Sequence, residues 1–263
     1  VDVAKMFLGG IIPGLMIAAA LMVVTAFMAK KYDFPIANER MNWRERGQTG
    51  LRAFFPLMTP VILLGGILSG YFTPTEAAAV SVVYAIAVEC LVYRDMNLRD
   101  VFRIAGQAAI TTSVIFILLA MGALVSYFVT LAQVPQGVVA LMAEIGAGPI
   151  LFLLIVNVLF LVAGMFIDPN SALLVLVPTL WPVAQAFGID PVHFGLVVVV
   201  NLMIGLIHPP MGLNLLITQS IAKEPMGAIL KESIPLLGIM LVILMLVTFI
   251  PATVLWLPRV LGM

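Results

Sequence analysis

Long uncharged stretches dominate the chain. They run over 6–29, 53–75, 104–143, 145–167, 169–189, 191–222 and 233–258, and 77–93 adds another that carries only Glu89. A helix needs roughly 20 apolar residues to cross the hydrocarbon core of a bilayer. Backbone amides in lipid must be paired within their own segment, so the pattern predicts helices. The alternation of a barrel strand is absent. Polar punctuation marks the helix starts. Thr73-Pro74-Thr75-Glu76 reads as a capping box with Pro at the first helical position. Asp168-Pro169 and Asp190-Pro191 have the same form, an N-cap followed by a helix-starting Pro. Asn97 to Asp100 resembles a further start, so 98–110 is expected to be an amphipathic interfacial segment leading into the membrane.

Charge then orients the spans. Eleven of the 13 Lys and Arg fall in three segments. Segment 30–52 holds Lys30, Lys31, Arg40, Arg44, Arg46 and Arg52. Segment 94–103 holds Arg94, Arg99 and Arg103, and 223–231 holds Lys223 and Lys231. By the positive-inside rule all three are cytoplasmic. Two helices between 53 and 93 go out and return, and one more goes out from 104 to about 131. A single net return is then required between 132 and 222, where three apolar stretches lie. Three full spans satisfy this. So does a re-entrant hairpin, 148–187, followed by one true span, 193–221. The turn Gly164-Met165-Phe166-Ile167-Asp168-Pro169-Asn170-Ser171 lies at a surface in the first case. In the second it lies deep, where irregular backbone is tolerated only inside protein or facing a cavity.

The most informative stretch is Asn201 to Asn214, in the middle of 191–222. Pro209 and Pro210 remove two amide donors and clash with the preceding turn, so the helix must open. Gly205 and Gly212 flank the opening. A broken helix at membrane depth frees carbonyl oxygens at the end of its first half and presents amides at the start of its second. In secondary transporters such ends take sodium and anionic substrates respectively. The alternative is a proline kink satisfied by its neighbours.

Composition narrows the classes. Hydrophobic residues make up 63% and charged residues 10%, with net charge +0. No basic field exists to neutralise phosphates, which excludes a nucleic-acid binder. Cys90 is the single cysteine, which excludes a disulfide scaffold. The constellations of an intramembrane protease, Gly-x-Gly-Asp, Gly-x-Ser-Gly or His-Glu-x-x-His, are absent, so no enzyme is expected. The chain opens on Val1 with no signal-peptide pattern, and the expectation is a piece of a longer protein.

Several stretches resemble the large membrane subunit of TRAP transporters, the DctM-like family. They are Phe7 to Gly14, Gly164 to Ser171, Gly188 to Gly195, Gly205 to Asn214, and Tyr71-Phe72-Thr73-Pro74-Thr75-Glu76-Ala77-Ala78-Ala79. The resemblance runs in order over nearly the whole chain and covers only the C-terminal part of that family. It implies an all-α polytopic membrane protein with an elevator-type ion-transporter fold. Here that means the second inverted repeat, with its re-entrant hairpin and broken transmembrane helix. Residues 1–131 would be scaffold helices and amphipathic arm segments, 132–222 half of the transport domain, and 223–263 the final transmembrane helix. The implied function is sodium-driven import of small organic anions, of the dicarboxylate, sialic acid or 2-oxo acid class, across a bacterial inner membrane. The implied partners are a small DctQ-like membrane subunit, a periplasmic substrate-binding protein and the N-terminal half of the large subunit. Another sodium/anion symporter of the ion-transporter superfamily, or an inactive remnant, is the alternative. No cofactor is expected beyond sodium as coupling ion.

Carried over by motif, a sodium site would involve Gly164, Gly205, His208 and Met211, mainly through backbone oxygens. The family pattern has threonine where this chain has His208. A carbonyl there still serves, a side-chain hydroxyl does not, and a protonated imidazole would repel the ion. Asp168, Asn170, Ser171, Asn201, Pro209, Pro210 and Asn214 form the expected substrate and tip region. Each has a bland reading beside the functional one: Asp168 as a helix cap, the asparagines and Ser171 as interhelical hydrogen-bonding groups. His193, just after a Pro, is expected to be structural. Trp181, Trp256 and Tyr93 are expected to be interface anchors.

Overall fold

The computed structural model describes residues 2–33, 42–144, 146, 148–210 and 212–262. Its α-helices are α1 Val3–Lys31, α2 Trp43–Leu68, α3 Pro74–Ala87, α4 Leu98–Leu131, α5 Val134–Glu144, α6 Pro149–Phe166, α7 Pro169–Ala186, α8 Pro191–Gly205, α9 Leu213–Ala222, α10 Met226–Phe249 and α11 Ala252–Val260. A π-helical turn, Val88–Tyr93, prolongs α3. Among the described residues six helical segments are long and apolar enough to cross a membrane. The protein is an all-α polytopic membrane protein.

Contacts divide the chain into two units. One comprises residues 2–7 and 32–112. Its helix α3 starts as the sequence predicts. The Thr73 side chain accepts from the Glu76 amide, and the Glu76 carboxylate accepts from the Thr73 amide at 2.8 Å. Tyr84 ties α3 to α2 by donating its hydroxyl to the Phe55 carbonyl at 3.0 Å. Ala4, Ile67 and Ala77 form a small core. The segment 98–110 belongs to the continuous 34-residue α4, because no Pro or Gly-rich break interrupts it before Leu131.

The other unit comprises residues 8–31 and 113–263. Helices α6 and α7 form a hairpin. Asp168 caps α7, accepting from the Asn170 and Ser171 amides at 3.1 and 3.2 Å. Helix α6 lies along α8, burying Phe152, Val156 and Phe160 against Phe194, Val198 and Leu202. The two run parallel, with starts that line one cavity and ends that meet at Gly164 and Gly205. The opposite face of α6 is purely apolar: Leu151, Leu154, Ile155, Val158, Leu159 and Val162 line an open groove.

Helix α10 runs back along α8. His193 lies beside Val247 near its C-terminal end, and Ile204 clusters with Met240. At 1.5 Å per residue, Met240 lies about 14 Å from the C-terminal end of α10 and about 21 Å from its start. The α8 end, and the hairpin turn beside it, therefore lie beside the middle part of α10 and not at either of its ends. The last apolar stretch, 233–258, is not one helix. Ile250 leaves the helical path, Pro251 caps α11, and the chain restarts at Ala252. Trp181 is half-buried and packs on Phe194, ring centroids 5.8 Å apart and tilted by 46°. Trp256 is exposed.

Candidate functional site

The hairpin and the broken helix meet backbone to backbone. A Cβ built on Gly205 would lie 2.6 Å from the Cα of Gly164 and 2.8 Å from its carbonyl carbon. One built on Gly164 would lie 3.0 Å from the Cα of Gly205 and 3.4 Å from the Leu202 carbonyl oxygen. Only two glycines permit this approach, and both are buried. Small residues at a crossing are how membrane helices bring their backbones together.

The prolines decide which carbonyls are free. In a continuous helix Pro209 and Pro210 would serve the carbonyls of Gly205 and Leu206, and neither proline has an N–H. The chain compensates locally. The His208 amide donates to Gly205 O at 3.1 Å, and the Asn214 amide reaches across the gap to Leu206 O at 3.0 Å. The Ile207 amide turns to Ile204 O at 3.0 Å, tightening the last turn. That leaves Met203 O, Ile207 O, His208 O and Pro210 O without an amide donor among the described residues. On the hairpin, the Ile167 amide serves Ala163 O, and the carbonyls of Gly164, Met165 and Phe166 receive no amide donor from outside α6 among the described residues. The Gly164 oxygen lies 3.1 Å from where a Gly205 Cβ would stand. Two helix C-termini, each carrying partial negative charge, therefore lie side by side with oxygens that receive no amide donor among the described residues.

This chemistry suits a cation held by neutral oxygens. Among the described residues no three His, Cys, Asp or Glu side chains converge. The amides expected to receive an anion are mostly engaged. Asp168 occupies those of Asn170 and Ser171, and Gly212 O those of Leu215 and Leu216. On α9 the Leu213 amide is the one left over among the described residues of the first turn. The break thus offers oxygens far more than amides, which narrows the sequence-based picture of a site for both ions.

The individual residues sort as follows. Gly164 and Gly205 are brought together. The half-buried His208 folds its Nδ1–H onto the Pro209 carbonyl at 2.7 Å, so the imidazole is held by its own loop. Gly212 closes that loop, with Leu206 O at 2.8 Å and His208 O at 2.9 Å from the position of an added Cβ. Met211, the fourth expected ligand, lies outside the described residues, as does Arg40 of the first basic segment. Asp168 is a helix cap at the tip. Asn170, Pro210 and Asn214 are exposed there, while Ser171 and Pro209 are half-buried. Asn201 is elsewhere: one turn before the break and fully buried, it donates to Asn157 Oδ1 at 2.7 Å and to Val197 O at 2.8 Å.

Sequence reasoning missed Asn157. It is a single amide in an apolar run, and what marks it is a tertiary partner. His193 is structural, as expected. Pro251 has no N–H for Val247 O, and His193 Nε2 donates to that oxygen at 2.9 Å instead.

The family described as "Tripartite ATP-independent periplasmic transporter, DctM component" matches residues 1–253. A C4-dicarboxylate TRAP transporter large permease protein of Pseudomonas aeruginosa is 42% identical over 262 residues, covering 100% of this chain and 61% of the relative. A sialic acid TRAP transporter large permease protein of Vibrio cholerae is 39% identical over 258 residues, covering 98% and 60%. An ectoine/5-hydroxyectoine TRAP transporter large permease protein of Ruegeria pomeroyi is 35% identical over 256 residues, covering 97% and 60%. The chain thus spans about three fifths of the length of these relatives.

Proposed function

Because this chain belongs to the DctM component family of tripartite ATP-independent periplasmic transporters, a family of transporters and not of enzymes, we propose that it supplies the cation-binding half of a sodium-coupled importer of small organic anions. In this reading the hairpin α6–α7 enters from the outer face of a bacterial inner membrane. Its tip and the α8–α9 break form one sodium site from backbone oxygens around Gly164, Gly205 and His208, with Met211. The exposed tip amides of Asn170 and Asn214 contribute polar groups to the cargo, of the dicarboxylate, sialic acid or 2-oxo acid class. The unit of residues 8–31 and 113–263 belongs to a domain that moves as an elevator against a fixed scaffold. A small membrane subunit, a periplasmic binding protein and the N-terminal part of the large permease complete the assembly.

What supports this most is the contact of Gly164 with Gly205, which sets two helix ends side by side with carbonyls that receive no amide donor among the described residues. Carbonyl dipoles suit a weakly bound monovalent ion, which must leave as readily as it arrives. Coupling follows when ion and cargo share the same tip elements, because a ligand shifts a two-state equilibrium only by its differential affinity for the two states.

The test is uptake by the complete transporter in proteoliposomes, with sodium replaced by potassium. Uptake is expected to fall to background, and the purified complex is expected to gain thermal stability on titration with sodium but not with potassium. Equal uptake in both salts would overturn the sodium reading.

A further inference from the structure

A chain of side-chain hydrogen bonds ties three helices together above the glycine contact. Asn201 on α8 donates to Asn157 on α6 at 2.7 Å, Asn157 donates to Thr248 Oγ1 on α10 at 2.9 Å, and Thr248 donates to Leu244 O at 2.8 Å. All three side chains are buried, Asn201 at 0% exposure. The direction is forced. Val197 O only accepts, so the amide nitrogen of Asn201 must face it. Asn157 then has to present its oxygen to Asn201 and its nitrogen to Thr248. Both Asn201 hydrogens are spent, and its Oδ1, fully enclosed, receives no donor among the described residues.

That orphan oxygen is informative. A buried acceptor without a donor is unfavourable, and replacing a whole polar set by apolar groups of the same shape is often neutral or stabilising. Net stability is therefore a poor account of the ladder, and register is a better one. The remaining α6–α8 contact is Phe152, Val156 and Phe160 against Phe194, Val198 and Leu202, and such ridges slide by a residue or a turn. Hydrogen bonds of fixed direction do not. Register matters here because Asn157 lies seven residues from Gly164 on the same face of α6, and Asn201 four residues from Gly205 on α8. A slip of one residue would put Ala163 or Met165 opposite Gly205, or Ile204 or Leu206 opposite Gly164, where the backbones leave no space for a Cβ.

We propose that Asn157, Asn201 and Thr248 are positioning residues: they set the axial register of the hairpin arm α6 on α8, hold Gly164 against Gly205, and so set the affinity of the tip for its cation. The second half of this inference rests on the sodium reading above; the first half does not.

The experiment uses the complete transporter. Leu161 of α6 packs into the cluster of Val200 and Ile204. The register is read as the ratio of two disulfides, Leu161→Cys with Val200→Cys and Leu161→Cys with Ile204→Cys. This ratio is compared between the intact ladder and the double replacement Asn157→Leu/Asn201→Leu, which removes both amides and strands neither. The single replacements are expected to lower the thermal midpoint, and the double to recover most of it. The double is nonetheless expected to shift the disulfide ratio several-fold and to raise the sodium concentration for half-maximal uptake about tenfold. An unchanged ratio in the stable double variant overturns the proposal. A shifted ratio with unchanged half-saturation overturns the link to cation affinity. A shifted ratio in a transporter whose uptake ignores sodium supports the register role and defeats the sodium reading instead.

Discussion

Gly205→Ala adds one methyl group where α6 and α8 meet backbone to backbone. The new carbon would stand 2.6 Å from the Gly164 Cα and 2.8 Å from its carbonyl carbon, both of them backbone atoms that no rotamer change can move. Carbon atoms rest about 3.5–4.0 Å apart, so the two helix ends must separate by about 1 Å. Forced overpacking of this kind typically costs about 1–3 kcal/mol. If that separation spreads the oxygens contributed by the two helices, the same range corresponds to a loss of about 5- to 150-fold in ion affinity. The assay is sodium-dependent uptake by the reconstituted transporter, with half-saturation measured across a sodium series at constant ionic strength. Gly227→Ala is the control: a Cβ there meets nothing within 4 Å, and the residue is exposed. The control is expected to leave half-saturation unchanged. If Gly205→Ala behaves like Gly227→Ala, close backbone approach at the tip has no bearing on the ion, and the reasoning from the glycine pair is refuted.

Further outcomes follow from single contacts. His193→Ala leaves Val247 O with no donor in place of the one Pro251 lacks, at about 1–3 kcal/mol; a lowered thermal midpoint in detergent is expected, and an unchanged one contradicts the assignment. Asp168→Ala removes the cap of α7, worth about 0.5–2 kcal/mol. Amide exchange at residues 170–172 is expected to accelerate, with Asp168→Asn retaining most of the protection; equal exchange in Asp168→Ala and the parent speaks against the cap. Gly122→Val drives a side chain into Leu174 O, a backbone atom of α7 that no rotamer change can move. A destabilisation of about 1–3 kcal/mol is expected there, while Gly137→Val, facing open space, serves as the silent comparison; equal midpoints refute the contact.

What the sequence makes legible is what local chemistry decides. Thr73, Asp168 and Asp190 announce their helices because a cap needs only the next three residues. Pro209 and Pro210 announce the opening of the helix because a missing N–H is covalent. The glycines at 164 and 205 are visible as glycines, but their pairing depends on two elements meeting, which no spacing encodes. Asn157 carries no signal at all, since its meaning lies in Asn201 and Thr248, 44 and 91 residues away. The same holds for the amides around the break. Sequence places them at a helix start, and only the fold shows that Asp168, Leu206 O and Gly212 O have already taken them. The π-helical turn after α3 went unforeseen because one extra residue per turn leaves no compositional mark.

The outward stripe of α6, from Leu151 to Val162, contains no atom able to form a hydrogen bond through its side chain. Whatever greasy wall lies along it, displacement by a few ångströms breaks no polar pairing and strands no charge. Resistance to such a displacement comes from shape alone. A helix with that bearing surface has no detent of its own, so its resting positions are dictated by the inward side, where two glycines and one asparagine ladder admit a single alignment.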